Sequence, residues 1–393
     1  MKKIFIIVIY WILISGIIVG CNPGTQIPPT ATMESSSGQN SLAVTSAPEV
    51  TATPLPENVI RLTWFYKPPD EAQMNQVAEK TDFFILTHKD EPARDELRAK
   101  GNTAPVSQYL LFLVINDPGD CDEKPNGNQV AYKVGDFCQI SEQHPDWFLL
   151  DQNGKRIQSR KNSYYMDPGN EGFRAFWLER ARELQETYGW DHIFLDNVEG
   201  SRIKMVGKNG SLANYPDDES YQKAVEGFLS YIRTNYFEPS NKSIYANIVS
   251  IAEDHVWDRY LQYVDGAMIE SFATDWSDGY RSKDEWEQQM NLAEKALKQG
   301  KTLILVAQGD QEDEELQKFA FASYLLIADG NAYFRYTNSE EYRNLWLYEN
   351  YDIDLGIPLG DRYKSKGLWR RDFAYGYVTV NSQKHQAEII LNP

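Results

Sequence analysis

Cysteine is scarce in this sequence: three residues in 393, at positions 21, 121 and 138. None forms a CxxC pair. The five histidines, His88, His144, His192, His255 and His385, show no HxH or HExxH spacing, so a zinc centre and a metal-dependent deacetylase lack support. A glycine-rich phosphate loop and a dinucleotide fingerprint are also missing, and no cofactor is expected. Basic residues are in deficit: 39 Lys and Arg against 57 Asp and Glu leave a net charge of −18. Such a field repels nucleic acid and other polyanions, and a neutral or cationic partner is easier to accommodate.

The chain starts MKKIFIIVIYWILISGIIVGC, two lysines and an apolar run ending in small residues and Cys21. This pattern predicts a secretory signal over residues 1–20. The residues Ile18, Val19, Gly20 and Cys21 resemble the lipobox of bacterial lipoproteins, which implies cleavage before Cys21 and lipidation of its thiol. A retained anchor helix is the alternative, because the run lies near the lower length limit for spanning a bilayer. Either way the expected location is extracytoplasmic, at a membrane or cell surface. Residues 21–56 are dominated by Thr, Ser, Pro, Ala and Gly, which cannot bury enough surface to offset conformational entropy, and a disordered tether is expected. With Cys21 lipidated, Cys121 and Cys138 remain as an even pair in an oxidising compartment, where a disulfide is expected.

Residues 57–393 read as one catalytic domain. Apolar and β-branched runs predict strands at 59–66, 82–88, 107–116, 192–197, 243–249, 266–272, 302–308 and 331–336. Amphipathic helices intervene. In the segment 170–188, residues Phe173, Phe176, Trp177, Ala181, Leu184 and Tyr188 share one helical face, with Asp167 and Pro168 placed as N-cap and first-turn proline. Segments 218–236 and 283–299 repeat the pattern, the latter ending at Gly300. Eight strands alternating with helices predict an α/β fold, a single (β/α)8 barrel. A disulfide-bearing insertion, residues 117–166, follows the third strand, and a β-hairpin cap closes the chain.

In such a barrel the functional site forms at the C-terminal strand ends. The fourth strand, GWDHIFLDNVEG, finishes in Asp196, Asn197 and Glu199, and the sixth supplies Glu270 within an apolar run, where a charge is expensive unless it is paired or faces a site. Asp196 and Glu270 are therefore the candidate catalytic pair. Other strand ends add Trp64, Tyr66, Asn116, Asn247, Gln308 and Arg335, which with Asn197 and Glu199 form the candidate substrate-binding set. Aromatic residues make up 13% of the chain. Rings for stacking, amides for hydrogen bonds and two carboxyl groups are what a glycosidic cleft requires. A carbohydrate is the expected substrate. The alternative is a non-catalytic carbohydrate-binding surface lipoprotein of the same fold.

The segments HPDWFLLDQNGKRI (144–157), YYMDPGNEGFRAFW (164–177), GWDHIFLDNVEG (189–200) and LWRRDFAYGYVTVN (368–381) resemble glycosyl-hydrolase-like family 15 of bacterial glycoside hydrolases. They have a looser similarity to glycoside hydrolase family 114, the endo-α-1,4-polygalactosaminidases. By position, that similarity implies Asp196 as nucleophile, Glu270 as general acid/base and a retaining mechanism. The large barrel clan with Asn-Glu on strand 4 and Glu on strand 7 fits poorly, since Asp196-Asn197 and Gln308 stand there. The roles require Asp196 ionised and Glu270 protonated near neutral pH, and a cation near Asp196 that the sequence does not identify.

Overall fold

The structure is a computed structural model that describes residues 59–208, 210–249, 254–276 and 279–392. The expected signal, the tether and Cys21 lie outside the described residues.

Eight parallel strands form one sheet: β1 (Thr63–Phe65), β2 (Phe83–Leu86), β3 (Val106–Leu111), β4 (His192–Val198), β5 (Ile244–Ile248), β6 (Gly266–Ile269), β7 (Thr302–Gln308) and β8 (Ala332–Thr337). They pair in chain order, and a parallel bridge between Leu62 and Phe334 joins the last strand to the first. The sheet thus closes into the expected barrel. Successive side chains point to opposite faces. Phe65, Phe83, Ile85, Tyr109, Phe194, Tyr245, Met268, Ile304 and Val306 fill the interior, whereas Trp64, Phe84, Leu110, Leu195, Ala246 and Leu305 belong to the larger cluster between barrel and helices.

The helices sit where the periodicity predicts, with one shift. The helix Glu171–Glu186 is capped by Asn170, whose side chain accepts from the Phe173 N–H, and not by Asp167. Asp167 is buried and accepts instead from the Tyr215 hydroxyl and from Asn214 Nδ2 at 3.0 Å. The helices Asp218–Ile232 and Lys283–Lys298 start with capping boxes at Asp217 and Ser282, and Gly300 takes the left-handed conformation expected after the second of them.

Two departures concern the excursions. The predicted strand 107–116 leaves the barrel after Leu111, and Val114–Asn116 pairs antiparallel with Ser163–Tyr165 in a small separate sheet. A continuous apolar run reports burial and not the partner, so the sequence could not show this break. The terminal cap is larger than a hairpin: β9 (Tyr363–Ser365), β10 (Leu368–Phe373), β11 (Gly376–Asn381) and β12 (Gln386–Leu391) make a four-stranded antiparallel sheet. Buried Arg371 ties it to the barrel, donating to the Leu325 and Ala328 carbonyls at 3.1 and 2.7 Å. Cys121 and Cys138 are joined by the expected disulfide, with Cα atoms 5.8 Å apart.

Candidate active site

The mouth of the barrel is organised by a bulge in β4. Leu195 pairs with Ala246 and Val198 with Ile248, so Asp196 and Asn197 together oppose the single residue Asn247. Asn197 takes up the extra length in the left-handed region, φ 57°, which asparagine tolerates better than most residues. The consequence is a change of phase. Phe194 and Asp196 face the interior, Val198 packs outward, and Glu199 turns back toward the mouth. This is how three polar groups at one strand end reach the same region.

Asp196 is 7% exposed and accepts from three donors: the Tyr109 hydroxyl, Asn197 Nδ2 at 2.7 Å and Asn247 Nδ2 at 3.0 Å. Glu270, at the end of β6, accepts from Asn247 Nδ2 at 2.9 Å and from the Tyr342 hydroxyl at 3.1 Å. One amide nitrogen therefore donates a hydrogen to each carboxylate. Since both acceptors share that nitrogen, the two bonded oxygens lie no more than about 6 Å apart.

Burial raises both acids. Glu270 is pushed up to about 7, first by desolvation and then by the charge of Asp196, against the hydrogen bonds from Tyr342 and Asn247. Asp196 is also raised by desolvation, but the hydrogen bonds from Tyr109 and Asn247 and the charge of Lys204 favour its anion. The hydrogen bonds and Lys204 oppose the rise at Asp196, whereas the charge of Asp196 adds to the rise at Glu270.

The cation near Asp196 is Lys204, on the short helix Ile203–Val206 after β4. It pairs with Glu199, which is 4% exposed, and reaches Asn197 Oδ1 at 3.5 Å. Glu199 is thus committed to Lys204. Gln308 donates to the Glu270 carbonyl at 3.2 Å and to the Tyr342 hydroxyl at 3.1 Å, so it steadies the loop residue that holds Glu270.

Of the residues expected to bind substrate, Glu199 and Gln308 line neither cavity beside the two acids, and Trp64 and Arg335 are turned away from the cleft. Trp64 is fully buried on the outer face of β1, because Phe65 takes the inward position and adjacent strand residues alternate. Arg335 is buried at the seam between β8 and β1, its guanidinium 4.1 Å from the Trp64 ring. It donates to the Phe65 carbonyl at 2.5 Å, and to the carbonyls of Tyr342 and Asn344 at 3.0 and 3.2 Å. It fixes the Tyr342 loop. Tyr66, Asn116 and Asn197 do line a cavity of about 470 Å³ next to Asp196. Asn197 also borders a second cavity, of about 310 Å³, with Asn247 and Glu270. Tyr66 is half-buried and stacks on Tyr109 at 4.9 Å.

Sequence reasoning missed Tyr109, Lys204, Tyr342 and Trp276. Tyr109 was legible in principle, as a polar ring two residues before the end of an inward-facing register. Tyr342 and Trp276 lie on loops and Lys204 on a one-turn helix, none of which periodicity places. Trp276, 52% exposed, stands on the wall of the Glu270 cavity.

Comparison with curated proteins finds no match. Among solved structures, the chain is similar to the glycoside hydrolase domain of PelA from Pseudomonas aeruginosa, at 16% identity over 73% of this chain and 97% of that one, with a TM-score of 0.48. It is also similar to the noncanonic maltogenic alpha-amylase AmyB from Thermotoga neapolitana, at 11% identity over 81% and 84% of the two chains, TM-score 0.48. The family described as hypothetical glycosyl hydrolase family 15 matches residues 121–377, a span that holds Asp196, Asn247, Glu270 and Tyr342 and runs from the disulfide loop into the terminal sheet; the chain belongs to this family of glycoside hydrolases.

Proposed function

We propose that the protein is a retaining glycosidase that cleaves a poly- or oligosaccharide outside the cytoplasm, held at the membrane through lipidated Cys21. Asp196 attacks the anomeric carbon while Glu270 gives its proton to the glycosidic oxygen, releasing the first product and leaving a covalent glycosyl-aspartate. Glu270, now ionised, takes a proton from water, whose oxygen displaces Asp196 and frees the second product.

The observation that carries this reading is the shared Asn247 nitrogen, which holds the two carboxylates at close range in a partly dry mouth. The charge of Asp196, which raises Glu270, supports the division of labour, since the attacking group must be charged and the acid must keep its proton.

The soluble form, residues 57–393, is screened against amino-sugar and neutral polysaccharides, and product anomers are followed by NMR. Cleavage with retention, lost in both Asp196→Asn and Glu270→Gln, is the expected result. Inversion at the anomeric carbon overturns the mechanism. Binding without cleavage favours the non-catalytic alternative.

A further inference from the structure

The loop after β3 carries the mature chain's disulfide and forms a wall of the cleft beside Asp196. Asn116, Asn126 and Asn128 line the 470 Å³ cavity that also contains Asp196. A second cavity, of about 200 Å³, adjoins it and shares Asn116, Asp117 and Asn126 in its lining. Gln129 lies against this second space.

Gln129 is fully buried, and its orientation follows from its partners. Its Oε1 accepts from the Asn116 N–H at 2.5 Å, and only the oxygen of an amide accepts. The remaining Nε2 is therefore a donor, buried and without a hydrogen-bond partner. Asn128, which lines the larger cavity, likewise has its Oδ1 buried without a partner. Such groups are costly to leave unsatisfied, and a hydroxyl-bearing ligand that bonds them recovers that cost.

The segment is also held rigidly. The Asn128 carbonyl accepts from the Leu111 N–H at 2.8 Å, and Gln108 Nε2 donates to the Gly127 carbonyl at 3.0 Å. At Gly127 a Cβ would stand 1.7 Å from the His88 carbonyl oxygen, so no other residue fits this close approach. The Cys121–Cys138 disulfide closes the loop that contains these positions. An unpaired donor and acceptor on a pinned backbone are preorganised for a ligand.

We propose that this loop, with Gln129 at its centre, forms a further sugar-binding subsite, which takes a neutral, hydroxyl-rich unit of the glycan next to the unit cut at Asp196. The inference rests on the glycosidase reading for its place beside the scissile bond. Gln129 Nε2 donates to a sugar oxygen, Asn128 Oδ1 accepts from a hydroxyl, and the disulfide keeps both in register.

The test compares wild type, Gln129→Met and Asn128→Ala, with the double substitution Cys121→Ser/Cys138→Ser as a variant that leaves both amides in place. Each is assayed for cleavage of pullulan, laminarin and chitosan, for cleavage of aryl monoglycosides, and for retardation in native gels containing the same polymers. Expected is a rise of about five- to tenfold in KM for the polymer, with kcat on the aryl glycoside unchanged, in both amide variants, and a smaller rise in the cysteine variant. If wild type cleaves a polymer and neither amide variant changes its KM, the subsite is overturned and the glycosidase reading stands. If wild type is retarded by a gel but cleaves nothing, the glycosidase reading falls, and loss of retardation in the amide variants still upholds the subsite. If wild type neither cleaves nor is retarded, both fall.

Discussion

Replacing Tyr342 by phenylalanine removes one hydroxyl and keeps the ring that packs against Phe65 at 5.2 Å and Tyr66 at 5.7 Å. That hydroxyl donates to Glu270 Oε1 and so stabilises the carboxylate over the acid. Its loss raises the pKa of Glu270 above the wild-type value of about 7. A hydrogen bond to a charged group contributes roughly 1.5–3 kcal/mol, and one pH unit corresponds to about 1.36 kcal/mol; with Glu270 partly open to the cleft the lower end applies, a displacement of about one unit. The general acid must hold its proton, so activity falls as pH rises through this pKa. The alkaline limb of kcat/KM against pH therefore moves up by about one unit in Tyr342→Phe, while the acidic limb, set by Asp196, stays. A substrate with a poor leaving group is needed, because an activated one does not require the acid. An alkaline limb that stays in place or moves down refutes the role given to Glu270.

Three further outcomes follow from the same geometry. Because burial and the charge of Asp196 raise Glu270 from 4.5 to about 7, folding opposes its ionisation, and the wild type loses on the order of 3 kcal/mol of stability as pH rises through that window. Glu270→Gln removes this loss, so thermal denaturation shows the variant more stable than wild type near pH 8 and no more stable near pH 4; an equal gap at both refutes the linkage. Lys204→Met leaves buried Glu199 without its cation and destabilises by about 1–3 kcal/mol in urea unfolding, a loss largely restored by adding Glu199→Gln, because Lys204 itself is half exposed. Asn197→Ala forces a non-glycine residue without a local hydrogen bond into positive φ at about 1–2 kcal/mol, whereas Asn197→Gly keeps the bulge and, like the alanine variant, loses the donor to Asp196 and the acceptor for Lys204; equal stability of the two variants argues against a strained bulge.

The eight strands, their order, the amphipathic helices and the cysteine pairing are properties of local pattern, legible in one dimension. Buried strands between helix-period segments leave few closed arrangements, and with Cys21 expected to carry a lipid the other two cysteines have only each other. The same alternation marked Asp196 and Glu270, since a carboxylate ending an apolar strand needs a reason to be there. Which neighbours those carboxylates meet depends on the closed barrel. Trp64 and Arg335 stand at strand ends like Tyr66 and Asn116, yet strand phase and the seam between β8 and β1 turn them away from the cleft. Asn247, Tyr342 and Lys204 come from a strand, a loop and a short helix, and their distances to the acids depend on closure of the barrel and on one extra residue in β4, which no one-dimensional periodicity encodes.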